Sequence, residues 1–447
     1  MPKEIPKCPK KPETQPRAAH EFDFELLTPM FGGGVEPRVN DPSCPVRNTA
    51  VRGQLEFWWR ATRGSRFHTI AELRAGQSEL WGSTEQASRV QISIDRVTAD
   101  TPAPCAKFRW DPRASGGRGR WQTDWEPPFG GRDSALPYVL FPFQGETPPS
   151  NPNAIATVPP ASCIRRASFR LTVRCPKELW PEVESAVWAW ANFGGLGGRN
   201  RRGCGAIVCK TLAPPSAEHF QAWLTASMNR FGLTLATSAV EWTQLADGVW
   251  HQPLGEPAVA AWDRVIWTFR QFRQGQNFGR NPGSPRPGRS RFPEPESIRR
   301  TSTGVNRTVS GHQRLTPIPD DAFPRAELGL PIVFHFQGQG EPADTTLYPV
   351  VDGKMEQRMG SPLVLRPVAT ADGKAVAVIL KLRTPAVTSV ELTGRPVSRA
   401  AVFGTGAIRR PDLGTYPNSP LAGSPSGSAI EAFLAFAQNA DNNFRRA

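Results

Sequence analysis

Lysine is scarce in this chain, 10 of 447 residues against 44 arginines. Cysteine is present but never as CxxC: Cys8, Cys44, Cys105, Cys163, Cys175, Cys204 and Cys209 are odd in number and scattered. That spacing excludes a disulfide framework and a four-cysteine zinc site. The histidines do not stand at ligand spacing with the cysteines, so neither a metal nor another cofactor is expected. No apolar run approaches the roughly 18 residues a membrane helix needs. The N-terminus starts basic but lacks the apolar core of a secretory signal. A soluble, cytoplasmic protein without membrane contact is the expectation. Catalytic signatures are missing too: HExxH, GxSxG, DxD and paired carboxylates on one helix are all absent.

What is present is a surplus of arginine. The net charge is +14 and the pI about 10.0. Arginine's planar fork suits phosphate and stacks on bases, so the charge fits a nucleic-acid partner rather than a small-molecule substrate. Glycine (40) and proline (46) together make up about a fifth of the chain, which excludes a helical bundle and predicts many loops.

Residues 1–20 read as a disordered basic tail. Phe22, Phe24 and Leu26 alternate with Asp23 and Glu25 as a strand. Val51, Leu55, Trp58 and Trp59 share a helical face that Asn48/Thr49 would cap. Val90, Ile92 and Ile94 predict a second strand, 138–143 and 168–175 two more, and 205–210 a last one after a helix that carries Val183, Val187 and Trp190. Residues 101–136 show no period and read as an inserted loop, in which the roles of Trp110, Trp121 and Trp125 stay open. The order is that of a ferredoxin-like, RRM-like fold. The fold class is α+β: one such domain over 21–212, and a second, degenerate one over 213–447. In the second half, strands are expected at 330–337, 362–368 and 374–383.

Two segments could carry RNA. "GGLGGRNRRGCG" (194–205) follows a helix but fails both nucleotide-loop patterns: Cys204 and Gly205 stand where Lys and Ser/Thr would, and Asn200 where a glycine would. A loop with Arg199, Arg201, Arg202 and no acid remains, equally an ordinary glycine turn or a phosphate cradle. Residues 264–291 hold seven arginines, no acid, and the aromatics Trp267, Phe269, Phe272 and Phe278. Such a mixture suits single-stranded RNA, although Trp267 and Phe269 read as core. His20 and His68 could act as general acid and base in RNA cleavage, and Asp41 stands in the first strand–helix loop.

The blocks "LLTPMFGGGVEP" (26–37), "VRGQLEFWWRATRG" (51–64) and "LWGSTEQAS" (80–88) resemble the N-terminal signature of the first-subunit family of the type III-B CRISPR (Cmr) effector. The glycine loop resembles that of the wider RAMP superfamily. "RFPEPESIRR" (291–300), "PRAELGLPIVFHF" (324–336) and "RMGSPLVLRPV" (358–368) resemble the C-terminal motifs of the same subunit. The resemblance implies a non-catalytic subunit that contacts guide RNA near its 3′ side, helps capture target RNA and meets other Cmr subunits. Cutting relatives use an aspartate in the first strand–helix loop, but "NDPSCP" around Asp41 does not look like theirs. The candidate RNA-binding residues are Arg52, Arg60, Arg199, Arg201, Arg202, Arg280, Arg286, Arg289, Arg291, Arg299 and Arg300. A metal-independent RAMP endoribonuclease that processes guide precursors is the alternative.

Overall fold

The computed structural model describes residues 17–36, 38–131, 133–233, 241–275, 292–302, 321–336, 340–394, 402–415 and 419–447. Residues 1–16 of the expected tail lie outside the described residues, whereas 17–20 are not tail but open the first strand, paired with 173–176.

Mixed helices and antiparallel sheets form the fold. The first four-stranded sheet uses β1 (Arg17–Leu26), β2 (Gln91–Ala99), β3 (Ala167–Pro176) and β4 (Ile207–Val208) in the spatial order β2-β3-β1-β4. Helix α1 (Asn48–Arg63) connects β1 to β2, and α2 (Trp180–Phe193) connects β3 to β4. The second four-stranded sheet repeats that order with β5 (Gln244–His251), β6 (Leu363–Ala369), β7 (Ala375–Arg383) and β8 (Arg445–Arg446), as β6-β7-β5-β8. Its helices are α3 (Ala258–Gln274) and α4 (Ala429–Gln438). A further, five-stranded sheet is built around Thr345–Val351 and Ser389–Thr393.

Side-chain alternation stacks these parts into layers. In β1, Phe22 and Phe24 point inward while Glu21, Asp23 and Glu25 face solvent. In α1, Val51, Leu55, Trp58 and Trp59 are buried, as their spacing predicts. Strands β6 and β7 are apolar on both faces, and the two faces serve different cores. Val364, Val368, Val376, Val378 and Leu380 join the core of α1 and α2. Leu363, Leu365, Ala375, Ala377 and Ile379 join the core of α3 and α4. The second sheet is thus sandwiched between two helical layers, which is why β6 and β7 read as mostly apolar, interrupted in β6 by Arg366 and in β7 by Lys381. Each fully buried Val or Leu contributes roughly 1.5–3 kcal/mol, enough to fix this stacking.

Three expectations need correction. Residues 138–143 are not a strand: Leu136–Leu140 is a short helix and Phe141–Phe143 a 3-10 turn. Pro137 suits a first helical turn, whereas Pro142 would interrupt a strand ladder. Leu136, Val139, Leu140 and Phe143 accordingly bury at helical spacing. The insertion is not structureless either. Ala106–Asp111 and Arg120–Trp125 form a hairpin with Trp110 opposite Trp121, ring centroids 5.5 Å apart. Finally, the strands expected over 205–210 and 330–337 shrink to Ile207–Val208 and Ile332–Phe334.

Candidate nucleic-acid interface

The glycine loop leaves the end of α2 and lies across the edge of the second sheet. Its three arginines have different fates. Arg201 Nη1 donates to the Ser361 carbonyl at 2.5 Å. Arg202 donates to the carbonyls of Leu363 (2.8 Å) and Leu328 (3.3 Å), and its own carbonyl accepts from Trp262 Nε1 at 2.8 Å. Two glycines permit this closeness. Gly203 has φ +81°, and a Cβ there would strike the Trp262 indole. A Cβ on Gly360 would stand 2.5 Å from Arg201 Nη1. The contact is reciprocal. Arg366 of β6, 1% exposed, donates to the carbonyls of Ala191 (3.5 Å) and Gly194 at the end of α2 and to that of Ile207 in β4 (3.0 Å). Burial pushes its guanidinium down to about 9, and the carbonyls of a helix C-terminus are natural partners for that cation.

Arg199 is left. It stands exposed at the crest of the loop beside exposed Gly197 and Gly198. Its φ of +57° is unusual for a side-chain-bearing residue. The crest is held from below, since Gly198 N donates to the Phe31 carbonyl at 2.7 Å. The neighbouring glycine run from Gly32 leads into Val35, which is 90% exposed. Exposed glycine backbone and the Arg199 guanidinium, whose pKa is lowered by partial burial, therefore lie together on a firm base, an arrangement open to phosphate.

The other candidates are more committed. Arg52 pairs with Glu56 (3.0 Å) and donates to Ser88 Oγ (3.2 Å). Arg60 donates to Gln77 Oε1 (3.0 Å), and burial lowers its pKa. Arg299 is gripped by Glu296 (2.6 Å) and Glu341 (2.7 Å). Arg300 is half-buried. Arg280, Arg286, Arg289 and Arg291 lie outside the described residues, as does Phe278. In the described part of 264–291, Phe269 and Phe272 are buried and Trp267 is half-buried. Arg202 and Arg273 stand 5.1 and 5.7 Å from the Phe269 ring centre. The Pro-Glu-Pro-Glu block is structural: fully buried Glu294 pairs with Arg325 at 3.2 Å and accepts its backbone N–H at 2.8 Å.

The basic insertion, read from the sequence as a loop without period, gathers its arginines at the tip of a hairpin. Arg113, Arg118 and Arg120 stand exposed around the tip of the Trp110/Trp121 hairpin, and they make no ion pair among the described residues. The alternation of Phe108 and Trp110 with Lys107, Arg109 and Asp111 could have revealed the strand. The open face of the first sheet is a poor RNA platform, for Glu21 and Asp23 stand on it with Arg170 bound to both at 2.7 Å.

The candidate catalytic groups are occupied or apart. Asp41 accepts from Ser43 Oγ (2.6 Å), Arg47 Nη2 (2.7 Å) and the backbone N–H of Ser43 and Cys44, which hold its carboxyl well below the usual range. His20 stacks on Trp180, centroids 3.4 Å apart. His68 is exposed in the loop after α1. Neither ring bonds a carboxylate among the described residues. Among those residues there is also no cluster of metal-ligating side chains, and no helix is long and apolar enough to cross a membrane.

Residues 23–208 match the RAMP superfamily. The chain is similar to the CRISPR system Cmr subunit Cmr1-1 of Pyrococcus furiosus, 24% identical over 191 residues, which are 42% of this chain and 46% of that protein. Similarity to subunit Cmr1-2 of the same organism is 32% over 75 residues, 17% of this chain and 38% of that one. The chain thus spans about half the length, or less, of the curated relatives it matches. Among solved structures, apo Cmr1 from P. furiosus aligns over 88% of this chain and 96% of its own at 15% identity and TM-score 0.42. A chain of the type III-B Cmr-beta complex bound to cognate target RNA aligns over 81% and 94% at 11% identity and TM-score 0.44.

Proposed function

Residues 23–208 match the RAMP superfamily, and from that premise we propose that the chain is a non-catalytic RNA-binding subunit of a type III-B Cmr effector complex. It contacts guide RNA near its 3′ side and helps capture target RNA, while other subunits cut. The two sheets, each built in the order strand–helix–strand–strand–helix–strand, are two ferredoxin-like units. The first spans 21–212 with the hairpin as an insertion, and the second 213–447.

The observation that carries this reading is the crest at Gly197–Arg199, where exposed backbone and an arginine with no ion pair among the described residues are braced by Phe31 below and the second sheet behind. Guide RNA reads its target by base pairing, so a subunit of such a complex needs a grip on backbone rather than a sequence code. Carboxylates on the open face of the first sheet direct RNA to the loops. The hairpin tip, with Arg113, Arg118 and Arg120, offers a second phosphate contact. The engagement of the Asp41 carboxylate by Ser43 and Arg47 agrees with a non-cutting role.

Crosslinking mass spectrometry of the purified complex with guide and target RNA tests the assignment. RNA crosslinks at 197–199 and at 113–120 are expected. A complex that assembles with the chain yet yields no crosslink from either loop refutes RNA binding there.

A further inference from the structure

Between α1, the glycine loop and β6 lies a cavity of about 180 Å³. Gln54, Phe57 and Trp58 of α1 line it together with Asn200 and Arg201 of the glycine loop and Val364 of β6. It is smaller than the roughly 300 Å³ at which pockets for drug-sized ligands begin, so its size suits one ring system. We propose that this cavity receives a single unstacked nucleobase of RNA held at the Arg199 crest, a proposal that rests on the RNA-binding function above.

The lining chemistry fits a base. The Phe57 ring is half-buried, and the Arg201 guanidinium stands 5.7 Å from its centre, so two flat surfaces border the space. Arg201 uses Nη1 on Ser361 and keeps further N–H donors. The side-chain amides of Gln54 and Asn200, both half-buried, make no hydrogen bond among the described residues. Each has a donor and an acceptor, the complement of a Watson–Crick edge. The Trp58 indole N–H is buried without a partner, and buried polar groups normally have one. Asn200 on the cavity wall follows Arg199 directly in the loop, so RNA backbone held at the crest passes close to the cavity. The apolar wall at Val364 leaves recognition to the rim.

The test compares two labelled strands of equal length by fluorescence anisotropy on the full chain, one single-stranded RNA and one with abasic riboses. Gln54→Leu keeps a good helix former at a half-buried position, and Phe57→Ala removes the stacking ring. Each variant is expected to lose about tenfold in affinity for the base-bearing strand and nothing for the abasic one. Should Phe57→Ala fail to fold, Gln54→Leu decides alone. Unchanged affinity, or equal loss on both strands, overturns the base cavity while leaving RNA binding intact. Failure of the unmodified chain to bind either strand overturns both.

Discussion

Arg202 donates a 2.8 Å hydrogen bond to the carbonyl of Leu363, which lies 161 residues further along the chain. A loop that reads as a phosphate cradle is thus, for two of its three arginines, a clasp between sheet and sheet. The clasp and the crest separate by mutation. Arg202→Ala strands the Leu363 and Leu328 carbonyls and should cost about 2–3 kcal/mol in chemical denaturation. Arg199→Ala should stay within about 0.5 kcal/mol of the parent. In RNA binding the order reverses: Arg199→Ala weakens affinity and flattens the slope of log K against log salt by about 0.7. Equal stability of the two variants would refute the division.

Glu294 of the Pro-Glu-Pro-Glu block makes a buried ion pair with Arg325. Arg325 also stands 5.3 Å from the Phe292 ring centre and 5.2 Å from that of Phe334. Glu294→Gln leaves that guanidinium buried without its carboxylate. A loss of about 3–5 kcal/mol is expected, visible in urea or thermal unfolding.

Asp41 supplies a pH signature. Its folded pKa is depressed, first by the Ser43 hydroxyl and then by Arg47. The ionised carboxylate therefore stabilises the folded loop above the unfolded value of about 3.9, and that stability fades as pH falls towards the folded value. Asp41→Asn should lower the melting temperature at pH 6, and the gap from the parent should narrow steadily below pH 4.

Thiol reactivity offers an independent check on packing. Burial pushes Cys105 up to about 12, Cys163 to about 11 and Cys204 to about 12, whereas Cys44 is exposed. Only thiolates react, so in a Cys8→Ser background maleimide should label Cys44 within minutes at pH 7. Cys105, Cys163 and Cys204 should react only after denaturant is added. Mass spectrometry of the labelled peptides reads the result.

Much of the architecture was legible in the sequence where one periodicity dominates. Phe22 and Phe24 against Glu21 and Asp23, or Leu55 and Trp58 on α1, announce their faces locally. The repeated strand order was legible only as a possibility, since β5 and β8 are short or irregular and nothing local pairs them. The apolar run 138–143 misled because composition favours a strand while its prolines favour turns. The candidate site was legible as arginine content but not as arginine fate. Nothing near Arg201 or Arg202 in the sequence shows that their partners are carbonyls of Ser361 and Leu363. Ion pairing hid Arg299 in the same way, because Glu341 lies 42 residues away.

The clasp also sets a timetable for synthesis. Arg201 and Arg202 emerge from the ribosome about 160 residues before the strand that receives them. At roughly 5–20 residues per second, on the order of ten seconds pass in which the loop and the apolar face of α1 and α2 have no lid. Throughout that interval the nascent first half presents to the cell a greasy surface rimmed with arginine, and its safe maturation depends on how quickly the rest of the polypeptide arrives.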